Sequence, residues 1–268
     1  TVVLDSDIFR KGEPINLSKD KDGIMAFAVD FGFQLLDKEK FSLSIYSQMA
    51  QMIGKTSDPL SGKKLELGMG IVPIAISSVF GPAKFNLEYR IIPKGRFEFN
   101  YWNRLYEIER VALTKSSDNQ IVLKTKESSL GRFGEQKGYF SRLSINMGSF
   151  IEAGASYHDM MGDIWSTKDK SFITNKNQTF ITSVRLKKSI SRIQYANAFY
   201  QQRNVPNPFK FNYTESTVLG YRLGISMGNG LVLSYTFRRS FRDLNGDGEI
   251  NGANETIDIR SIETSFSF

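Results

Sequence analysis

The sequence predicts an all-β fold: one antiparallel up-and-down β-barrel domain spanning residues 1–268. Three observations predict it. Large apolar residues alternate with small or polar ones along most of the chain, short and long connections alternate between these stretches, and the chain ends on the aromatic residue Phe268. A period of two places successive side chains on opposite faces of a β-strand, so the pattern indicates strands with one apolar and one polar face.

Composition excludes several other classes of protein. The chain is 24% charged and 13% aromatic with a net charge of +7, which is unlike a disordered protein. The longest weakly polar run, 67–80, is too short for a helix of about 20 apolar residues that crosses a membrane. There is no cysteine and one histidine, His158, which excludes disulfides and multi-histidine metal sites. No leader is visible at Thr1, so an exported protein would begin here in processed form.

Alternating stretches predict the strands in chain order. In the first half they are 25–35, 41–46, 85–91 and 96–101. In the second half they are 142–147, 151–158, 180–187, 221–227 and 231–238. No stretch has a sustained apolar stripe with a period of 3.6 residues, so no substantial helix is expected.

The connections between these stretches fall into two classes. The short ones are 37–40, 81–83, 148–150, 188–189 and 228–230, and the long polar ones are 51–64, 161–178, 204–216 and 243–255. The two classes alternate, except that 93–95 is short where a long loop is due. Short turns at one end and long loops at the other are typical of barrels with periplasmic turns and extracellular loops.

The last strand carries a further pattern. Ile262, Thr264, Phe266 and Phe268 occupy every second position up to the final residue. This ending resembles the C-terminal assembly signal of bacterial outer-membrane β-barrel proteins. The resemblance is to the class and implies a place in the bacterial outer membrane, contact with outer-membrane lipid, and recognition by the barrel-assembly machinery.

The strand number follows from parity. We count thirteen strands from about Gly23 to Phe268, and one more near 2–9 makes fourteen, an even number as in bacterial single-chain barrels. Twelve is the alternative, because 107–126 is hard to divide.

The polar face of the strands carries the charged residues. Bulky apolar side chains from so many strands would overfill a small barrel, so we expect them to face lipid and the charges to line the lumen. The lumen-lining residues predicted in this way are Glu88, Arg90, Arg96, Glu98, Arg142, Glu152, Arg185, Arg192, Arg222 and Arg238. With Glu66 on the same face, seven arginines stand against four glutamates, and a positive lumen favours anions. Small residues such as Gly70 and Gly224 would relieve crowding.

Two functions fit this pattern. The first is a porin-like channel for small polar or anionic solutes. The alternative is a scaffold barrel whose lumen is closed by Arg–Glu networks and whose extracellular loops bind an envelope protein or a surface polymer. An enzyme is not expected, because Ser156 and His158 lie on the face away from lipid. The basic residues are dispersed, so nucleic acid is not an expected partner.

One local motif predicts calcium as the only cofactor. Asp243, Asn245 and Asp247 match the D-x-[DN]-x-[DN]-G start of a calcium loop, with Glu249 as a carbonyl ligand. Asn251 would bind through water, and Glu255 lies one residue later than the usual bidentate ligand. The alternative is a surface loop rich in Asx turns.

Overall fold

A computed structural model describes residues 2–5, 24–103, 106, 110–115, 121–244, 249–251 and 253–266. The strands are β1 (Val2–Asp5), β2 (Ile24–Lys38), β3 (Phe41–Ile53), β4 (Lys55–Ser57), β5 (Lys64–Glu66), β6 (Met69–Phe80), β7 (Ala83–Ile92), β8 (Val111–Lys115), β9 (Ile121–Thr125), β10 (Phe133–Met147), β11 (Ile151–Ser166), β12 (Ser171–Leu186), β13 (Ile193–Val205), β14 (Val218–Gly228), β15 (Leu231–Phe241) and β16 (Thr256–Phe266).

The strands form one large antiparallel meander. In the described chain its order is β1-β2-β3-β6-β7-β10-β11-β12-β13-β14-β15-β16, so every strand pairs with its neighbours along the chain. Eleven of these strands are long, with 10 to 16 residues, and β1 adds four more residues at one edge. The pairs β4–β5 and β8–β9 form separate two-stranded sheets within connections. The predicted all-β, antiparallel up-and-down arrangement of strands is confirmed.

The predicted number of fourteen strands is wrong for the main sheet, which has twelve strands in the described part of the chain. The alternating stretch at 96–101 is not a strand: turns and irregular backbone occupy 93–103. Positive φ angles at Arg96 (53°) and Asn100 (59°) break the extended conformation there. Between 107 and 126, the described strands β8 and β9 pair only with each other.

The long and short connections lie at opposite ends of the main sheet. Short turns join β2 to β3, β6 to β7, β10 to β11, β12 to β13 and β14 to β15. Longer connections at 54–68, 93–132, 206–217 and 242–255 lie at the other end, which we call the loop end. The long loop that was due after β7 is 93–132. Residues 93–95 are the beginning of this loop rather than a separate short turn. The predicted long loop 161–178 is mostly strand, because β11 and β12 extend to a four-residue turn at 167–170.

The helical elements with described bounds are one turn of α-helix, α1 (Lys126–Ser129), and three 3₁₀ turns at Leu130–Arg132, Pro208–Lys210 and Ala253–Glu255; Tyr106 is also helical. Thr56, which is fully buried, donates to the carbonyl of Glu127 at 2.8 Å and accepts from the N–H of Gly131 at 3.0 Å. This side chain therefore ties the β4–β5 hairpin to α1. None of the described helices has the length and apolar character needed to cross a membrane.

The two faces of the main sheet invert the usual distribution of polarity. Large apolar side chains are exposed on what we call the outer face; Phe31 and Ile262 are 75% and 72% exposed. On the opposite face, charged and amide side chains are buried, and Glu88 and Arg90 are only 7% and 5% exposed. Water-soluble proteins rarely expose large contiguous apolar patches, so the exposed apolar outer face is unusual.

The apolar core lies at the loop end. It joins strand residues such as Met52, Ile92 and Met160 to Phe97 and Tyr101 of the 93–103 connection. We call 93–103 the inner segment, because it packs against the polar face rather than away from it. A Cβ atom at Gly70 would lie 2.3 Å from the Phe97 ring, so only glycine at this position leaves enough room for the ring.

Candidate functional site

A cavity of about 900 Å³ lies against the polar face of the main sheet. Side chains from β3, β7 and β10 to β15 line it together with the inner segment. This volume falls within the roughly 300–1,000 Å³ typical of small-molecule sites. Its lining mixes arginine, glutamate, asparagine and glutamine with aromatic rings, so it can contact both charged and apolar groups.

The structure brings most of the predicted lumen residues to this cavity. Eight of the ten line it, namely Glu88, Arg90, Glu98, Arg142, Glu152, Arg185, Arg222 and Arg238. Arg96 instead lies in a turn and donates from Nε to the carbonyl oxygen of Glu66 at 2.7 Å. Arg192 is exposed in the turn that precedes β13. Neither residue lies in a strand, so the orientation that alternation predicts for their side chains does not apply.

A buried ion pair fixes one side of the cavity. Glu88 accepts from Arg90 Nη2 at 2.6 Å and from the Tyr46 hydroxyl at 2.7 Å. The Arg90 guanidinium carbon lies 3.8 Å from the centroid of the Phe140 ring and 4.4 Å from that of Phe99. Two aromatic faces and one carboxylate therefore hold this guanidinium in place.

A second ion pair attaches the inner segment to β13. Arg203 donates to the Glu98 carboxylate, and Asn204 Nδ2 donates to the same oxygen at 3.2 Å. Both charged side chains are largely buried, so their pairing is needed to offset the loss of hydration. Glu98 and Arg203 are more than a hundred residues apart in sequence, and their contact holds the inner segment across the loop end of the cavity.

A row of directly opposed residues forms the wall of β11 to β15. Register places Arg185 opposite both Glu152 and Asn197, Asn197 opposite Arg222, and Arg222 opposite Thr236. Arg185 pairs with Glu152 at 2.7 Å. Opposed side chains in neighbouring antiparallel strands have Cβ atoms about 4.5–5.5 Å apart. The row is therefore a continuous polar band.

The charges lining the cavity do not balance. Its lining contains six arginines and three glutamates, so their formal sum is +3: the residues are Arg90, Arg142, Arg185, Arg203, Arg222 and Arg238 against Glu88, Glu98 and Glu152. Each glutamate pairs with one arginine. Low-dielectric walls focus the field of the remaining charges, so the formal charges of the lining give the cavity a positive field.

His158 lines the cavity between two aromatic rings. Its ring centroid lies 6.1 Å from that of Phe99 and 6.3 Å from that of Phe140, both edge to face. Ser156 also lines the cavity, and no hydrogen bond joins it to His158 among the described contacts. The pair therefore lacks the bond through which a histidine would activate a serine.

The predicted calcium ligands are described only in part. Asn245 and Asp247 lie outside the described residues, while Asp243, Glu249, Asn251 and Glu255 lie within them. Glu255 is buried and accepts the N–H of Leu244 at 3.3 Å and that of Asn251 at 3.0 Å. Its carboxylate thus joins the two ends of the loop. Among the described residues, no group of three or more His, Cys, Asp or Glu side chains could hold a metal ion.

The predicted assembly signal lies on the exposed face of β16. Ile262, Thr264 and Phe266 are exposed, and register places them opposite Tyr235, Leu233 and Leu231. They continue the apolar outer face to the edge of the sheet. Phe268 lies outside the described residues.

Sequence reasoning missed two parts of the site, Arg203 and the inner segment. Arg203 lies in β13, where aromatic residues occur on both faces and obscure the alternation that would have identified the strand. Trp102, which directly follows the stretch 96–101 that was predicted as a strand, also lines the cavity. A scan against protein-family models and a search of curated proteins find no match to the chain.

Proposed function

We propose that the chain forms a bacterial outer-membrane β-barrel whose polar interior is a pathway for small anionic solutes. The observation that carries the proposal is the inverted polarity of the main sheet, with exposed Phe31 and Phe33 on one face and buried Glu88 and Arg90 on the other. In water, the exposed apolar surface of this arrangement would cost about 25 cal/mol of free energy per Å². In a membrane it removes that surface from water and keeps the charges hydrated inside.

The strand dimensions agree with such a barrel. A membrane-spanning strand needs about 9–11 residues, and the eleven long strands have 10 to 16. Twelve strands are an even number, as in bacterial single-chain barrels, so both termini would lie at the same end. The exposed row ending at Phe266 supports recognition by the barrel-assembly machinery. We place the short turns in the periplasm and the long connections outside the cell.

The preference for anions follows from the cavity lining. Its formal sum of +3 lowers the energy of an anion there relative to a cation. Arg142 and Arg238 make no salt bridge with any described residue, so their charge is directed at the cavity rather than at a carboxylate.

A second function, the closed scaffold, is favoured by one specific observation. The inner segment is held across the loop end of the cavity by Glu98, Arg203 and Asn204. If this closure is permanent, the interior conducts nothing, and the long connections at the loop end would bind an envelope protein or surface polymer.

Single-channel recording in planar bilayers separates the two functions. We expect the intact protein to conduct and to give a reversal potential in a salt gradient that indicates anion preference. The triple variant Arg142→Gln, Arg222→Gln, Arg238→Gln should lose most of that preference. Arg239→Gln, which removes one positive charge from the outer face, is the control for each single replacement and should keep the preference. A correctly folded protein that never conducts would overturn the channel in favour of the scaffold.

A further inference from the structure

Buried polar atoms without partners are concentrated in the cavity. Among the described residues, seven buried side-chain nitrogen or oxygen atoms have no hydrogen-bond partner: Arg90 Nη1, Trp102 Nε1, Gln136 Nε2, His158 Nε2, Asn177 Oδ1, Asn197 Oδ1 and Arg238 Nε. All seven belong to residues that line the cavity. A buried polar atom left unbonded is destabilising, and buried polar groups are normally paired. Their concentration in one place indicates that they are arranged to meet a polar molecule.

These atoms include both donors and acceptors. The arginine, tryptophan and glutamine nitrogens are donors, and the two asparagine oxygens are acceptors. A simple inorganic anion offers mainly acceptor oxygens, so it would satisfy the donors and leave the asparagines unbonded. Hydroxyl groups donate and accept, so a molecule with both an oxyanion and hydroxyls complements the whole set.

The wall of β12 to β15 supplies the positive charge. Asn197 lies directly between Arg185 and Arg222 on the neighbouring strands. Arg238, two residues from Thr236 on the same face of β15, lies opposite Gly220, against which the Phe199 ring packs. The carboxylate nearest Arg222 is that of Glu263, at a long 3.8 Å. These guanidinium groups can therefore bind an oxyanion, which they match in planar, bidentate geometry.

Aromatic rings complete the lining. Phe99, Trp102, Phe140 and Phe199 all contribute to the cavity. Ligand sites typically combine such apolar surface with a few polar groups that fix orientation. The flat C–H faces of a sugar ring fit this combination, with its hydroxyl groups directed to the amides.

We infer that the cavity contains a binding site for a polyhydroxylated oxyanion, a small sugar-like molecule bearing a phosphate or carboxylate, centred on Asn197, Arg222 and Arg238. The inference rests on the proposed function and deepens it, since it assigns a ligand class to an interior otherwise open to any small anion.

The two tryptophans allow a direct binding assay. Trp102 lines the cavity, whereas Trp165 packs against Phe172, so Trp165→Phe leaves the cavity tryptophan as the sole fluorophore. Glucose 6-phosphate, gluconate, glucose and inorganic phosphate are titrated separately into detergent-solubilised protein, with calorimetry on the same samples. We expect saturable binding of glucose 6-phosphate, gluconate or both, at least tenfold tighter than glucose and inorganic phosphate.

Paired variants test the location. Arg222→Gln with Arg238→Gln should weaken binding of glucose 6-phosphate or gluconate by at least tenfold, and Arg239→Gln on the outer face should leave it unchanged. Asn197→Leu should reduce the preference for these ligands over inorganic phosphate. Equal affinity for inorganic phosphate and the sugar anions would overturn the hydroxyl requirement. No saturable signal by either method, or no effect of the arginine variants, would overturn the site.

Conductance distinguishes failure of this site from failure of the channel. A protein that conducts anions but binds none of the four probes keeps the channel and loses the site. A protein that binds glucose 6-phosphate without conducting keeps the site within a closed barrel and loses the channel.

Discussion

Neighbouring arginines illustrate how position in a strand sets the role of a residue. Arg238 faces the cavity with its Nε unbonded, while Arg239 faces outward and makes two hydrogen bonds, of 2.6 and 2.8 Å, to Asp258. Asp258 is the residue opposite Arg239 in the register. The same side chain thus has an unbonded Nε in the cavity in one position and is paired on the outer face in the next.

The buried Glu88–Arg90 pair gives a prediction about stability. Glu88→Gln leaves a buried guanidinium without its carboxylate, so we expect it to lower the free energy of unfolding by about 3–5 kcal/mol. Glu66→Gln removes a carboxylate from the exposed pair with Lys55 and should cost less than about 1 kcal/mol. Reversible urea unfolding in detergent micelles measures both. Similar losses in the two variants would contradict the prediction.

Gly70 gives a second prediction. A methyl group there would overlap the Phe97 ring, so Gly70→Ala should displace the inner segment and cost about 1–3 kcal/mol. Gly32→Ala is the matched control in β2, because its added Cβ would meet nothing closer than 3.6 Å. Thermal unfolding of both variants provides the comparison, and a normal midpoint for Gly70→Ala would show that the ring is not held at this position.

At the scale of elements, the connections at the loop end differ from simple surface loops. The inner segment supplies Phe97 and Tyr101 to the core, and Thr56 links the β4–β5 hairpin to α1. The turns at the opposite end are shorter. Function is therefore expected at the loop end, where long-range contacts fix the shape of the cavity entrance.

The inner segment is predicted to open when its anchor is removed. Glu98→Gln loses the ion pair with Arg203, so we expect faster protease cleavage within 93–103 and, in bilayers, a larger single-channel conductance. Glu66→Gln, in the exposed pair, serves as the control. If cleavage and conductance both match the parent protein, Glu98 does not hold the segment closed.

The calcium loop remains a prediction. Calcium should protect 243–255 of the parent protein from proteolysis, and the double variant Asp243→Ala, Asp247→Ala should lose that protection. Glu255→Gln should instead raise cleavage with or without calcium, because its carboxylate accepts two backbone N–H groups of the loop. Calcium protection that survives in the double variant would rule out these ligands.

At the scale of the whole molecule, apolar and polar side chains lie on opposite faces of the main sheet. Exposed apolar residues cover the outer face, and buried arginine, glutamate and amide side chains occupy the cavity side. Water-soluble proteins usually place polar groups outward, so this distribution is the main support for the proposed membrane barrel.

The C-terminal row gives the prediction at this scale. Deletion of Phe268 should lower the amount of protein in the outer membrane severalfold, because the row Ile262, Thr264, Phe266 loses its terminal aromatic residue. Ser265→Ala, on the opposite face of β16, is the control and should leave that amount unchanged. The measurement is immunoblotting of membrane fractions, and equal amounts for the deletion and the parent would remove the assembly role.

The sequence by itself determined the all-β class, the antiparallel meander and the faces of seven predicted charged residues in the strands, because alternation with a period of two is a local property of each strand. It did not determine the number of strands or the course of 93–103. Phe97 and Tyr101 alternate with polar neighbours as a strand would, yet they are buried in a segment that crosses the cavity. Alternation shows only that the two sides of the chain face different environments. Strand pairing and the Glu98–Arg203 contact depend on residues far apart in sequence. Only the tertiary structure brings those residues together, and so only it decided the cavity.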